Sequence, residues 1–600
     1  MLSWLDRTSG TAGCPAKAGA VAERGRLVER AWPQVVALVA AASLLNGLLA
    51  VPVRRPRIFG DELIYWELAR GFAWTGHFTV RSGAAPRYGV VYPALLAAAQ
   101  RIGDNQVAAY AIAQGLNAVV FALTAVPAYL IASRVLTRRH ALLAAALAAV
   151  VPSCVLTSAI MTENAFYPLF VTSVLFMVRA LERPSATRQM LVVLAAALSF
   201  LTRAQAVVIL PSYLLAAILL AVISSPGRRL TALTRSLRQH APTVTVLVLS
   251  GVAAISIGGL PTLGPYHVLI TSYGLRPLAR WALANLADIE LYLGVIPLGA
   301  LGVLVVLTLR TSAISAELRR LVILTACLGF GLFATVAVLS ASPYGLGRTH
   351  ERNVFYLAPL ILICFLAWLE GGLPRPRGPT VAIALVLAVL PLTLPISAVA
   401  TSSGEDGLAL VAWQDHGVIP RRAIHEMAVV ATLAAFVFLV SRQRKVMLGI
   451  CLAALTIVLV VGERHLIRGS PTDAAWRDRG WIDRAVGPDA QVVALWATAS
   501  RSQGSRVSNV WADEFFNRSV RDVASTDGPL PDGLPIETLK IRPDGCLQAT
   551  LPFRPLYAVV ETTEHLTAPV VAVNPWTRSV LYRLGARASD HTCFARLQQR

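Results

Sequence analysis

The sequence predicts an all-α polytopic membrane domain followed by a C-terminal extracytoplasmic domain of α/β or mainly β type. Three observations lead there. The 600 residues are 56% hydrophobic, with a mean hydropathy of +0.61. Apolar runs of about 17–25 residues, the length that crosses a hydrocarbon core of about 30 Å, recur as far as residue 463. Beyond it the composition changes, with Trp476, Trp481, Trp496, Trp511 and Trp576 among short β-like runs.

The expected spans are 33–52, 107–131, 141–158, 163–181, 190–202, 205–223, 242–262, 291–309, 321–341, 354–371, 380–399, 427–441 and 446–462, about thirteen crossings by length and hydropathy. The fifth and sixth are short. Short loops rich in Lys and Arg stay in the cytoplasm. With residues 1–32 as a cytoplasmic tail, every inner loop is basic: Arg134/Arg138/Arg139, Arg183/Arg188, Arg228/Arg229/Arg235/Arg238, Arg319/Arg320, Arg375/Arg377 and Arg442/Arg444/Lys445. An odd number of crossings then leaves domain 464–600 outside the membrane domain 33–463, on the side of the first outer segment, 53–106. The tail residues before the first span lack a signal-peptide apolar region, so that span is expected to act as the targeting signal.

The net charge of +21 is spread over inner loops as a topology signal and is not gathered in one patch, which argues against nucleic acid as a partner. Lys occurs only at Lys17, Lys445 and Lys540. That Arg bias, with abundant Ala and Val, is typical of a GC-rich bacterial genome, and the expected location is a bacterial plasma membrane. Of seven cysteines, Cys14, Cys154, Cys327, Cys364 and Cys451 fall in the cytoplasm or in spans without metal-ligand spacing. Cys546 and Cys593 lie in the external tail, where an oxidising compartment permits either a disulfide or free thiols.

Candidate chemistry begins with Gly60-Asp61-Glu62. Residues 61–72 read as a surface helix with Leu63, Tyr65, Trp66, Leu68 and Phe72 as its apolar and aromatic contacts, Trp and Tyr suiting the bilayer interface, and Gly71 or Gly76 as its stop. On it Asp61 and Glu62 point about 100° apart, so one could face a site while the other supports it. The plain alternative is that Asp61 only caps the helix. A second acidic position, Glu163 in Met161-Thr162-Glu163-Asn164, opens a span. Ionisable groups at membrane depth are costly and are functional candidates by default. Its plain reading is a first-turn residue capped by Thr162.

Cationic partners gather on the same side: Arg87 in Pro86-Arg87-Tyr88, Arg203 in Thr202-Arg203-Ala204-Gln205, and Arg348, His350 and Arg352 in one loop ahead of a span. A planar guanidinium suits phosphate or carboxylate. An internal pair, Arg203 with Glu163, or snorkelling to lipid head groups is the plain alternative.

The motifs Asp61-Glu62-Leu63-Ile64-Tyr65-Trp66-Glu67-Leu68-Ala69-Arg70, Thr162-Glu163, Leu201-Thr202-Arg203 and Glu351-Arg352 with Tyr356 and Pro359 resemble those of the GT-C superfamily of integral-membrane glycosyltransferases. The likeness is to the polyprenyl-phosphate-sugar-dependent mannosyl- and arabinosyltransferases, including the protein mannosyltransferase and lipid A aminoarabinose transferase groups, over roughly residues 50–370. Where the Glu-Arg motif usually continues with Tyr this chain has Asn353, and Pro86-Arg87-Tyr88 stands where the aminoarabinose transferases carry Lys-Pro-Pro.

The resemblance implies transfer of a sugar from a polyprenyl-phosphate donor to an acceptor hydroxyl on a glycan, glycolipid or protein at the outer face of the plasma membrane. Asp61 is the expected general base, with Glu62 and Glu163 beside it, and inversion is expected. Arg87, Arg203, Arg348 and Arg352 are donor-phosphate candidates, and Tyr65, Tyr88 and His350 further site candidates. Donor and membrane lipids are the expected partners. No cofactor is implied; Asp61, Glu62, Glu163, His267 and His350 could ligate a divalent metal, yet lack a diagnostic spacing. Two carboxylates of a retaining hydrolase would be a different arrangement, which the membrane setting disfavours. The other classes are a flippase of lipid-linked sugars, which should show two-fold internal symmetry, and a non-catalytic envelope scaffold.

In the tail, strands are expected at Gln491–Trp496, Leu556–Glu561, Pro569–Val573 and Ser579–Leu584. The run Val510 to Arg518, with Trp511, Phe515 and Phe516, either stacks on sugar rings or fills the tail's core.

Overall fold

The computed structural model of the protein describes residues 15–56, 59–81, 83–84, 88–225, 227–256, 273–310, 314–414, 419–467, 477–496, 507–525, 534, 536–549, 551–562, 565–584 and 595–596. Among them each expected span has an apolar helix in its place. Seven are long and apolar enough to cross a membrane, or up to ten when each of three bent helix pairs counts as one span. Three more, Ala186–Thr202, Phe355–Glu370 and Arg377–Thr393, are shorter. Leu44, Leu48, Phe330, Leu385, Leu433 and Phe436 stand exposed on the helices, apolar side chains in numbers that suit contact with lipid. The chain is a multi-pass membrane protein.

One bend has a clear local cause. Helix Leu275–Leu293 meets Ile296–Arg310 at 114°, and Gly294 between them is left-handed at φ +81°, the conformation glycine adopts at no steric cost. Residues 257–272, His267 included, lie outside the described residues.

The surface-helix expectation is corrected. The helix runs Phe59–Thr75, and Leu63, Ile64, Tyr65, Trp66, Leu68, Ala69 and Arg70 are all buried. It starts two residues before Asp61, which therefore lies in the first turn and is not its N-cap. It stops where Gly76, at φ +74°, donates its N–H to the Phe72 carbonyl.

The helix packs on the helix Val91–Ile102 of the membrane domain, and the C-terminal region covers another part of it. The Trp66 ring stacks on Phe515 at 5.2 Å and its indole N–H donates to the Phe515 carbonyl at 3.0 Å, so Trp66 is not an interfacial anchor. Phe515 and Phe516 are core residues at this junction. Arg70 donates to the carbonyls of Glu514, Asn517 and Val520. Arg81 forms a two-pronged pair with Glu514, at 2.7 and 2.9 Å, with both side chains 1% exposed. Glu514→Ala would leave a buried guanidinium without its counter-charge, and about 3–5 kcal/mol of stability should be lost. Earlier thermal release of the tail to protease, absent in Glu561→Ala, would register it.

The tail is α/β. Its six-stranded sheet has the order Glu537–Thr538, Val520–Ser525, Val492–Trp496, Tyr557–Glu561, Ser579–Arg583, Val570–Asn574. The first four strands are parallel and the last two antiparallel. All four strands read from the sequence are present. Val520–Ser525 was not expected, because Arg521 and Asp522 interrupt its apolar pattern. A smaller sheet orders Ala595–Arg596, Cys546–Gln548 and Lys540–Ile541. Cys546 is disulfide-bonded; Cys593 and Cys14 lie outside the described residues.

Candidate active site

Five chain segments, each at a helix end or between helices, converge on one cluster of charges. Asp61 comes from the first turn of Phe59–Thr75, and Glu163 opens the helix Glu163–Glu182. Arg203 is the extended residue joining Ala186–Thr202 to a short helical turn. Arg352 lies in the turn Glu351–Asn353, and Asp406 precedes the helix Leu408–Gln414.

Arg352 is the hub. Its guanidinium lies 3.0 Å from Asp406, 3.8 Å from Asp61 and 3.9 Å from Glu163, and its backbone N–H donates to the Asp406 carbonyl at 3.3 Å. Glu163 is fully buried and pairs with Arg203 at 3.0 Å, so the plain reading of that pair holds as geometry. Thr162 makes no side-chain cap. Its hydroxyl instead accepts from Arg203 at 2.8 Å, while Asn353 accepts a second Arg203 bond. Gln205 donates to the Asn353 carbonyl at 2.7 Å. Asn353, which departs from the family pattern, thus binds Arg203 directly.

The electrostatics separate the carboxylates. Burial would raise Asp406, but Arg352, His350 and Arg348 outweigh it and hold the group well below the usual carboxylate range. It is an ionised anchor. Asp61 is the exposed member, with 40% of its side chain accessible. The protein crowded around it pushes its carboxyl above the ordinary aspartate value, with Glu163 adding to this and Arg352 opposing it. That combination makes Asp61 the better proton acceptor of the two. Glu163 Oε1, Arg352 Nη1 and the Tyr356 hydroxyl are buried and make no hydrogen bond, so the cluster retains polar capacity for a ligand.

The other expected residues are distributed as follows. Glu62 is buried and accepts the Ile160 N–H at 2.7 Å, which fits a supporting role. Arg348 donates to Asp406 at 2.8 Å and to Ser403 at 3.1 Å, and His350 Nδ1 lies 3.5 Å from Asp406. Both therefore brace Asp406. Tyr65 packs edge-on against Tyr88, ring centres 6.0 Å apart. Arg87 lies outside the described residues. Gly89 nearby is packed so closely that a Cβ there would sit 2.4 Å from the Thr202 carbonyl oxygen, which brings the segment after Arg87 against the Arg203 turn. Asp406 was missed. Its only sequence signal is Glu405-Asp406 in an outer segment with no other charged residue before Asp415.

Among the described residues no three His, Cys, Asp or Glu side chains are placed to hold one metal ion. Asp61, Glu163 and Asp406 each face a guanidinium instead, so no step is assigned to a metal.

Residues 87–255 match the family model described as dolichyl-phosphate-mannose-protein mannosyltransferase. No curated protein matches the chain. Among solved structures, ArnT from Cupriavidus metallidurans bound to undecaprenyl phosphate is 14% identical, with 91% of this chain and 97% of that one covered and a TM-score of 0.48. The Archaeoglobus fulgidus oligosaccharyltransferase tethered to an acceptor peptide is 12% identical, covering 82% and 64%, at 0.42. The archaeal AglB of the same organism, with an inhibitory peptide and a dolichol-phosphate, is 13% identical, covering 87% and 69%, at 0.36. The matched segment contains Glu163 and Arg203 of the cluster.

Proposed function

From the GT-C superfamily, which the family match and the motifs read from the sequence support, we propose that this chain transfers a sugar from a polyprenyl-phosphate donor to a hydroxyl of a cell-envelope acceptor, with inversion. The reaction would occur at the outer face of the plasma membrane, with the N-terminus inside. The observation that carries the reading is Arg352: a guanidinium with an unused Nη1, held between an ionised Asp406 and a half-exposed Asp61.

Asp61 accepts the proton of the acceptor hydroxyl as its oxygen bonds to the anomeric carbon. The bond from that carbon to the phosphate oxygen breaks, its electron pair stays on the departing polyprenyl phosphate, and Arg352 and Arg203 stabilise the added charge in a poorly hydrated setting. Because Glu163 and Asp406 already offset much of the positive charge, Arg352 binds phosphate through orientation and its unused Nη1 more than through net charge. Glu62 supports the turn carrying Asp61, and Arg348 and His350 hold Asp406.

Purified protein in nanodiscs, given a panel of polyprenyl-phosphate sugars and a hydroxyl acceptor, should consume at least one donor and release the lipid phosphate; if every donor survives intact, the reading fails. A flippase would move such donors without cleaving them. The pH profile adds a second check. A base with a raised pKa loses activity as pH falls through that value, so the acid limb of kcat/KM should lie above the ordinary aspartate range of about 3.9. An acid limb at or below that range would remove Asp61 as the base.

A further inference from the structure

The tail contains a second recess that the transfer chemistry does not use. In its sheet the strand Val492–Trp496 leads through the helix Val507–Phe516 to the parallel strand Val520–Ser525 on one side, while the parallel strand Tyr557–Glu561 lies on the other. The strand order reverses between Val492–Trp496 and Tyr557–Glu561. In open parallel sheets the carboxyl end of such a reversal is where a crevice forms and ligands bind. The recess is found there, lined by Trp496 and Glu561 at the strand ends, by Asn509 and Asp513 from the helix, and by Thr577 and Ser579. It takes in about 430 Å³ with its open mouth, and its inner void, about 20 Å³, admits only a group the size of a water molecule.

Two features of the lining point to a ligand. The Thr577 hydroxyl is buried, 1% exposed, with no hydrogen-bond partner. Buried polar atoms are nearly always paired, by protein, water or ligand. Asp513, 2% exposed, is fixed in place: it accepts from the Trp481 indole at 2.7 Å and from the Ser579 hydroxyl at 2.9 Å. Burial pushes its carboxyl up to about 7, against those two bonds, so near neutral pH it can both give and take a hydrogen bond.

The chemistry of the lining selects the ligand class. Two carboxyl groups and no basic side chain line the recess, which disfavours phosphate and so a nucleotide or lipid phosphate. A hydroxyl is the size the inner void accepts. Trp496 at the rim offers an aromatic surface of the kind that packs on the C–H faces of a sugar ring. We propose that this recess is a saccharide-binding subsite, separate from the Asp61–Arg352 cluster, which seats one non-anionic sugar unit by inserting a ring hydroxyl between Thr577 and Asp513. It rests on its own geometry and stands whether or not the chain transfers sugar.

The test is saturation-transfer NMR on the full-length protein in nanodiscs, free of sugar-headed detergent, with methyl glycosides of mannose, galactose, arabinose and glucosamine. At least one should receive saturation at its ring protons, equally with the Asp61→Asn protein, and inorganic phosphate should not compete. Thr577→Val, nearly isosteric, should lose at least half of the effect while unfolding at the wild-type temperature; Asp513→Asn, which keeps hydrogen-bonding capacity, should lose less. No transfer to any glycoside would mean that the void holds water only. Transfer undiminished by Thr577→Val, or competed by phosphate, would equally overturn the assignment.

Discussion

Asp61→Asn should lower sugar transfer by about 10²–10⁴-fold, the usual contribution of a positioned general base, with the protein inserted and its lipid-phosphate affinity little changed. Asparagine fills the same space and leaves the helix Phe59–Thr75 intact, because that helix is held by Trp66, Arg70 and the tail and not by the Asp61 carboxyl. It removes the one exposed carboxylate of the cluster, and Glu163, fully buried and paired to Arg203, is not positioned to replace it. The loss should therefore appear in kcat more than in KM. A flippase or scaffold would be indifferent to the change.

Arg352→Lys should be nearly as damaging, by about 10²–10³-fold, the cost of losing one oriented donor at a developing negative charge. Lysine keeps the charge but not the fork. It cannot hold Asp406 at 3.0 Å, face Asp61 at 3.8 Å and still present a free N–H. Arg352→Met should additionally destabilise the protein, since Asp406 and Glu163 would lose a shared buried cation. Comparison of donor affinity, kcat and unfolding temperature in the two variants separates the chemical role of Arg352 from its structural one.

The membrane part of the fold was legible because a bilayer demands about twenty apolar residues per crossing whatever their partners. The cluster was legible in part for a related reason: Asp61, Glu163, Arg203 and Arg352 are charges beside apolar helices, where a charge needs a cause. Asp406 carries no such mark. It lies in a polar stretch, Ser402 to Gly407, and only folding brings it to Arg352. The burial of Trp66 was equally invisible, since its cover, Phe515, is 449 residues away, and no local pattern reports a contact of that range. The aromatic run Val510 to Arg518 resolved toward the packing alternative for Phe515 and Phe516, with Asp513 turned into the tail recess.

The stereochemistry of the product tests the displacement most directly. A donor of known anomeric configuration, turned over once and read by the anomeric proton coupling of the product, should give the inverted glycoside, since the acceptor oxygen supported by Asp61 enters opposite the phosphate held by Arg352 and Arg203. Retention of configuration would mean that a carboxylate bonds to the sugar first, and a base at Asp61 facing a guanidinium-bound phosphate would then be the wrong description of this site.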